Sequence, residues 1–79
     1  MAEAVKIIVV SADGCHEVHF RIKMDCKMLK VKNAFADRSG LDVRVCRFLY
    51  DSKRIQDDDT PRSLGMEDHD VVEMYVGIL

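Results

Sequence analysis

Two cysteines and two histidines lie close together in the first third of the chain, where they could bind a metal or supply a nucleophile and its base. The four residues are Cys15, His16, His19 and Cys26. Their spacing matches no zinc module. Neither a third orienting group nor a glycine turn that could bind an oxyanion accompanies them. We therefore expect no metal site, no cofactor and no enzymatic activity.

A run of three aspartates, Asp57 to Asp59, is a second candidate metal site. Calcium loops use alternating oxygen ligands and a closing glutamate, and this run has neither. The flanking residues are polar, and Pro61 follows. The run is therefore interpreted as a solvated surface loop.

Cysteine count and composition indicate an intracellular, folded protein. Cys15, Cys26 and Cys46 are an odd set, which favours free thiols in a reducing compartment. Hydrophobic residues make up 48% of the chain, which argues against disorder, and no apolar run approaches the roughly 20 residues that span a bilayer. The start of the chain, MAEAVK, lacks the positively charged segment with which a secretory signal begins.

Length and charge limit the organisation and the partners. With 79 residues, positions 1–79 are predicted to form a single domain, which we expect to be a monomer. The net charge is −2, with an excess of two positive charges in residues 1–40 and of four negative charges in residues 41–79. A protein that binds nucleic acid through its phosphates would be strongly basic. We expect neither nucleic acid nor membranes as partners.

The pattern near the N-terminus predicts two antiparallel strands. Residues 5–10 are rich in β-branched side chains, and Asp13-Gly14 supplies the positive φ of a hairpin turn. Residues 18–23 alternate with a period of two. The face predicted to be apolar carries Val18, Phe20 and Ile22.

One amphipathic helix is predicted to follow, with Asp25 as its N-cap and Gly40 as its left-handed end. Strands are predicted at 45–50, around 54–55 and at 70–76, with a helical turn from Pro61 to Leu64. This order predicts an α+β fold in which one main helix packs across a mixed sheet. The residues expected in the core are Met28, Phe35, Phe48 and Leu64.

Several strings resemble those of SUMO, the small ubiquitin-related modifier. The resemblance extends from Val5 to Tyr75, and the strings are EVHFRIKM, ADRSGL, RFLYD, RIQDDDTPRSLGMEDHD and VVEMY. It implies the ubiquitin-like β-grasp fold, with which the order of elements agrees. Ser52 stands where the family usually has glycine, and we expect this change to be tolerated.

The resemblance also implies a groove between the second strand and the helix that accepts a short hydrophobic peptide, the SUMO-interacting motif. An edge strand could pair with such a peptide through its free backbone groups. The matching positions are Val18, His19, Phe20, Arg21, Ile22, Lys23, Lys30, Val31, Ala34 and Arg38. Phe20 is the more favoured ligand contact, whereas Ile22 fits the core at least as well.

A second implied surface is the acidic turn formed by Glu67, Asp68 and Asp70, which in SUMO contacts the conjugating enzyme. A solvated loop explains these residues equally well. The expected partners are proteins with SUMO-interacting motifs and the SUMO-conjugating enzyme, and the expected location is nuclear and cytoplasmic.

Covalent attachment in this family requires a terminal Gly-Gly, and this chain ends Val76-Gly77-Ile78-Leu79. We expect that the chain as it stands is not attached to lysines. Three hypotheses remain open: a module that binds SUMO-interacting motifs, a genuine modifier whose diglycine is missing from this chain, and a structural ubiquitin-like domain of a larger protein.

Overall fold

The computed structural model describes residues 3–77, which form five strands and two helices. The strands are β1 (Ala4–Ser11), β2 (Glu17–Lys23), β3 (Cys46–Tyr50), β4 (Lys53–Arg54) and β5 (Asp70–Val76). The helices are α1 (Met28–Ser39) and α2 (Pro61–Leu64), and a 3₁₀ turn spans Val43–Val45. No helix within the described residues combines the length and the apolar composition needed to cross a membrane.

The strands form one mixed sheet in the order β2-β1-β5-β3-β4. β1 runs antiparallel to β2 and parallel to β5, so the first and last strands lie side by side in the centre. β3 runs antiparallel to both β5 and β4. The predicted α+β architecture, with one main helix and a mixed sheet, is therefore confirmed.

The core lies between α1 and one face of the sheet. Alternate residues of β1, including Ile7 and Val9, are fully buried, as the period of a strand requires. Phe35 of α1 meets Phe48 of β3 edge to face, with ring centroids 5.8 Å apart. Met28, Phe35 and Phe48 are buried as predicted, whereas Leu64 is only partly buried and packs against the margin of the core.

The predicted N-cap of α1 is wrong. Lys27 is the N-cap residue, and its side chain makes no capping hydrogen bond. The first amide groups of the helix donate instead to a distant loop: Met28 N to the Asp59 carbonyl oxygen at 2.7 Å and Leu29 N to that of Asp57 at 3.1 Å. The unpaired amides of a helix start need such partners. The carboxylate of Asp25 accepts a 2.8 Å hydrogen bond from Nε of Arg62.

Other predicted boundaries hold closely. Gly40 ends α1 with a φ of 69°, and Pro61 is the first residue of α2, where Thr60 and Ser63 form a capping box. β3 begins at Cys46 rather than Val45, because the side chain of Asp42 accepts from the backbone amide of Arg44 and caps the preceding 3₁₀ turn.

Candidate functional site

A groove of about 410 Å³ lies between β2 and α1. The short turn from Met24 to Lys27 brings the start of the helix next to the end of the strand. Eight of the ten residues predicted for a peptide site line the groove together with Cys26, which the prediction missed. The lining residues are Phe20, Arg21, Ile22, Lys23, Cys26, Lys30, Val31, Ala34 and Arg38.

Two predicted residues lie outside the groove lining. Val18 is partly buried and packs against the core. The side chain of His19 is exposed, and its Nε2 lies 2.8 Å from Oε2 of Glu17. Cys26 could have been found from its place in the turn, since a residue between an edge strand and the helix beside it reaches the end of the space between them.

The floor of the groove is apolar and partly belongs to the core. Val31 is only 2% exposed, while Phe20 and Ile22 are partly buried and pack against the core cluster. Ile22 therefore lines the groove and contacts the core at the same time. Ala34, on the helix side, is small and leaves space above the floor.

The outer edge of β2 offers unpaired backbone groups. Within residues 3–77, β2 has a strand neighbour on one side only. Hydrogen bonds from Met24 N to the Glu3 oxygen (3.0 Å) and from Ser11 N to the His16 oxygen (2.9 Å) lie at the two ends of the β1–β2 ladder. Bonded and non-bonded pairs alternate between them. The residues of β2 whose amide and carbonyl groups point away from β1 are therefore Glu17, His19, Arg21 and Lys23.

Four basic side chains line the groove. They belong to Arg21, Lys23, Lys30 and Arg38. None of the ion pairs between described residues involves them, since those pairs use other bases. Lys23 and Lys30 lie near the β2–α1 turn, and Arg38 lies two helical turns beyond Lys30. Their positive charge is thus available to an acidic ligand.

The predicted acidic surface is largely tied into the fold. Asp70 Oδ2 accepts hydrogen bonds from the Tyr50 hydroxyl at 2.6 Å and the Glu67 amide at 2.8 Å. Asp68 Oδ1 accepts from the Lys6 amide at 2.9 Å. These two carboxylates hold the turn before β5, and Glu67 is exposed. Contact of this turn with a conjugating enzyme stays a prediction.

The cysteines are all free: Cys15 is exposed, Cys26 partly buried and Cys46 buried. In the part of the chain that the structure describes, no three His, Cys, Asp or Glu side chains are grouped as a metal site would require. Burial raises the pKa of the Cys46 thiol, and the nearby Asp42 carboxylate adds to the shift. A raised pKa keeps this thiol neutral and unreactive.

The architecture is that of a ubiquitin-like β-grasp protein. A solved structure described as Caldiarchaeum Subterraneum Ubiquitin matches it with a TM-score of 0.88 at 20% identity, covering 98% of each chain. Residues 5–76 match the family model described as Ubiquitin-2 like Rad60 SUMO-like. The chain is also 54% identical over 74 residues to a Small ubiquitin-related modifier from Caenorhabditis elegans, covering 94% of this chain and 80% of that one.

The chain therefore belongs to the SUMO-like family of ubiquitin-like proteins, and it is not an enzyme. The prediction about the absent diglycine involves Ile78 and Leu79, which lie outside the described residues.

Proposed function

We propose that this chain binds short, extended apolar peptides with acidic flanks, of the SUMO-interacting type, in the groove between β2 and α1. The observation that carries the proposal is the unpaired outer edge of β2 beside an apolar floor with basic margins. A peptide strand added to this edge would bond to the free backbone groups of His19, Arg21 and Lys23.

Each part of the groove has a separate role in the proposed complex. Backbone bonds to β2 set the register of the peptide, and its apolar side chains cover Phe20, Ile22 and Val31. Burying a Val, Ile or Leu side chain contributes about 1.5 to 3 kcal/mol. Ordering the peptide and losing its free motion offset much of this gain, which leaves roughly micromolar affinity.

The basic margin explains why acidic flanks belong to the ligand. Arg21, Lys23, Lys30 and Arg38 can form charge-assisted hydrogen bonds with carboxylates or phosphate groups beside the apolar residues. These contacts are exposed, so added salt weakens them. Binding should therefore be reversible and sensitive to ionic strength.

A titration of the isotopically labelled chain with a Val/Ile-rich acidic peptide tests the proposal by amide chemical shifts. We expect shifts confined to residues 18–38. A control peptide in which serine replaces the Val and Ile residues should leave the spectrum unchanged. Absence of shifts with the apolar peptide at about 1 mM would contradict the proposal.

Attachment to lysines as a modifier is a second candidate function. It is favoured by the 54% identity to a protein named as a small ubiquitin-related modifier. Because the diglycine is missing from this chain, the test uses a variant that ends in Gly-Gly, incubated with SUMO-activating enzyme, conjugating enzyme, a substrate protein and ATP. Conjugation adds the mass of the variant less one water to the substrate, and an unchanged substrate mass argues against the modifier.

The proposed partners are proteins that carry SUMO-interacting motifs, together with the conjugating enzyme. We propose that the protein acts in the nucleus and the cytoplasm, where it would encounter proteins with these motifs and the conjugating enzyme. Imaging of a tagged full-length chain, with an unrelated domain of similar size as control, tests this location.

A further inference from the structure

The edge strand β2 has a sequence that is complementary to itself. Its residues alternate between exposed and half-buried positions from one end to the other. Glu17 stands at one end with a negative charge, Lys23 stands at the other end with a positive charge, and Phe20 lies in the middle. When two such strands run antiparallel, the acidic end of each strand therefore meets the basic end of the other.

Hydrogen-bond geometry limits how two β2 strands can pair. The backbone groups that point away from β1 belong to the odd-numbered residues from Glu17 to Lys23. Bonded positions must therefore face bonded positions, and the register changes only in steps of two residues. The register that places Phe20 opposite Phe20 uses the whole of both strands. It forms bonded pairs between residues 17 and 23 and between residues 19 and 21.

The two neighbouring registers are less favourable. A shift that places Arg21 opposite Arg21 brings two positive charges together, and like charges directly opposite destabilise a sheet. A shift in the other direction pairs only residues 17–21 with one another. It also leaves Lys23 opposite Cys15, which lies in the hairpin turn outside the strand. The register centred on Phe20 is thus the one that the strand favours.

The exposed side chains match in this register. Glu17 faces Lys23 of the second copy at two symmetric places, as an isologous interface requires. Lys23 makes no ion pair between described residues. Glu17 contacts His19 of its own chain, but its side chain is 60% exposed and is free to meet a second cation. The ring of His19 faces the guanidinium of Arg21, and such a pair can stack.

The half-buried side chains match as well. Phe20 meets Phe20 on the symmetry axis, and Val18 meets Ile22. All three pack against the core within one chain and are partly covered. Residues that face each other at non-bonded positions lie about 4.5 Å apart at Cα, so their side chains are in contact. The pairing thus removes apolar surface from water on the groove side of the strand.

We propose that two copies of this chain pair through their β2 edges in this register. The pairing closes the edge that the proposed peptide would use, so each dimer hides two peptide sites. The dimer does not rest on the proposed function, since it needs only the free edge. It adds a self-limiting control: at high local concentration the chain occupies its own edge.

The helices keep this association weak. Opposite residues of antiparallel strands point to the same face, so both α1 helices lie on one side of the joined sheet. The positive charges of Lys30 and Arg38 on the two helices then repel each other. We expect a dissociation constant on the order of 0.1 to 1 mM. The monomer expected from the sequence is then the form present at low concentration.

Sedimentation equilibrium of the chain from about 0.05 to 3 mM measures the association. Glu17→Lys and Lys23→Glu should each weaken it at least about fivefold, because like charges then face each other. A mixture of these two variants should associate better than either alone, because every pair of residues 17 and 23 then joins opposite charges. The control mixture is Asp37→Lys with Lys53→Glu, which alters exposed residues outside β2 and should show no such gain.

Disulfide cross-linking tests the register. Phe20→Cys, made in a chain that also carries Cys15→Ser and Cys26→Ser, should cross-link to itself when oxidised glutathione is added. The Cα separation of about 4.5 Å on the axis lies within the range that a disulfide bridges. Val18→Cys in the same background faces Ile22 of the second copy instead of itself, and it should cross-link at least about tenfold more slowly.

The proposal is overturned if the unmodified chain stays monomeric at about 3 mM, or if the mixture of β2 charge variants gains nothing over its components. Equal cross-linking of Val18→Cys and Phe20→Cys would overturn the register. Circular dichroism verifies that each variant is folded, and the charge variants decide the outcome if a cysteine variant is not. Peptide titration at about 0.05 mM chain, where the dimer is scarce, reports separately on the proposed function.

Discussion

The hydroxyl of Tyr50 donates a 2.6 Å hydrogen bond to Oδ2 of Asp70, which joins the end of β3 to the start of β5. The same carboxylate oxygen accepts from the Glu67 amide at 2.8 Å. One acidic side chain thus ties the turn before β5 to the neighbouring strand. In this arrangement Asp70 stabilises the fold, whatever it contacts in a partner.

Replacing Tyr50 with phenylalanine should destabilise the protein by about 1 to 2 kcal/mol, because a partly buried bond to a charged group is lost. Urea unfolding measures the change. Tyr75→Phe is the matched control, since its hydroxyl bonds the exposed Glu73. Its effect should be smaller, and equal losses in the two variants would contradict the role given to Tyr50.

Stability should fall at alkaline pH through Tyr50. The hydrogen bond to Asp70, followed by burial, raises the pKa of Tyr50 from 10.0 to about 12. The folded state thus favours the neutral phenol. The stability that this preference adds is complete below the pKa of Tyr50 in the unfolded chain, and it is lost as pH rises from 10.0 to about 12. The free energy of unfolding should decrease less steeply over this range in Tyr50→Phe than in the unmodified chain.

Ser52→Gly should stabilise the protein by about 0.5 to 1 kcal/mol. Asp51 and Ser52, between β3 and β4, have φ values of 53° and 66°. Glycine adopts positive φ without the steric cost that a side chain adds. Ser52→Ala keeps the Cβ atom and should give no such gain. Melting curves of the two variants measure the cost of serine in this turn, and tolerance of the change stays a prediction.

Lys32→Met should destabilise the protein by about 1 to 3 kcal/mol. The ammonium group of Lys32 donates to the Ile55 carbonyl oxygen at 2.7 Å and to Asp57 Oδ1 at 2.9 Å, with only 13% of the side chain exposed. It therefore holds the loop whose carbonyls cap α1.

Lys27→Met provides the comparison for Lys32. Lys27 lies 3.5 Å from Asp58, and the two side chains are 69% and 89% exposed. Exposed ion pairs contribute little. A similar loss of stability in both variants would show that the Lys32 bonds have no special importance for the loop.

Phe20→Ala should weaken binding of the acidic apolar peptide at least tenfold, which corresponds to about 1.4 kcal/mol. Phe20 lines the groove. Val18→Ala removes apolar atoms from the same face of β2 outside the groove, so peptide affinity should be retained. Isothermal titration of the folded variants measures both constants. Equal affinity of Phe20→Ala and the unmodified chain would remove Phe20 from the site.

Local patterns in the sequence predicted the elements that depend on local interactions. The alternation in β2 placed Val18, Phe20 and Ile22 on one face, and Gly40 and Pro61 marked helix boundaries. The start of α1 could not be found in this way. Its amides are capped by carbonyl groups about thirty residues further along the chain, and no local pattern reports such a contact.

The candidate site was predictable only in part, for a related reason. The positions of Phe20, Ile22 and Val31 follow from strand and helix periodicity, together with a family resemblance. Cys26 lies in a turn, where periodicity gives no direction to a side chain, so only its place between β2 and α1 could have indicated it.

The parallel pairing of β1 with β5 joins Ile7 to Asp70 at opposite ends of the sequence. During translation β1 leaves the ribosome long before its central partner has been made. The middle of the sheet can therefore close only after almost the whole chain has been synthesised, and this high contact order slows folding. Until then, the apolar strand β1 can pair with β2 alone, and its other edge is open to aggregation with nascent chains nearby.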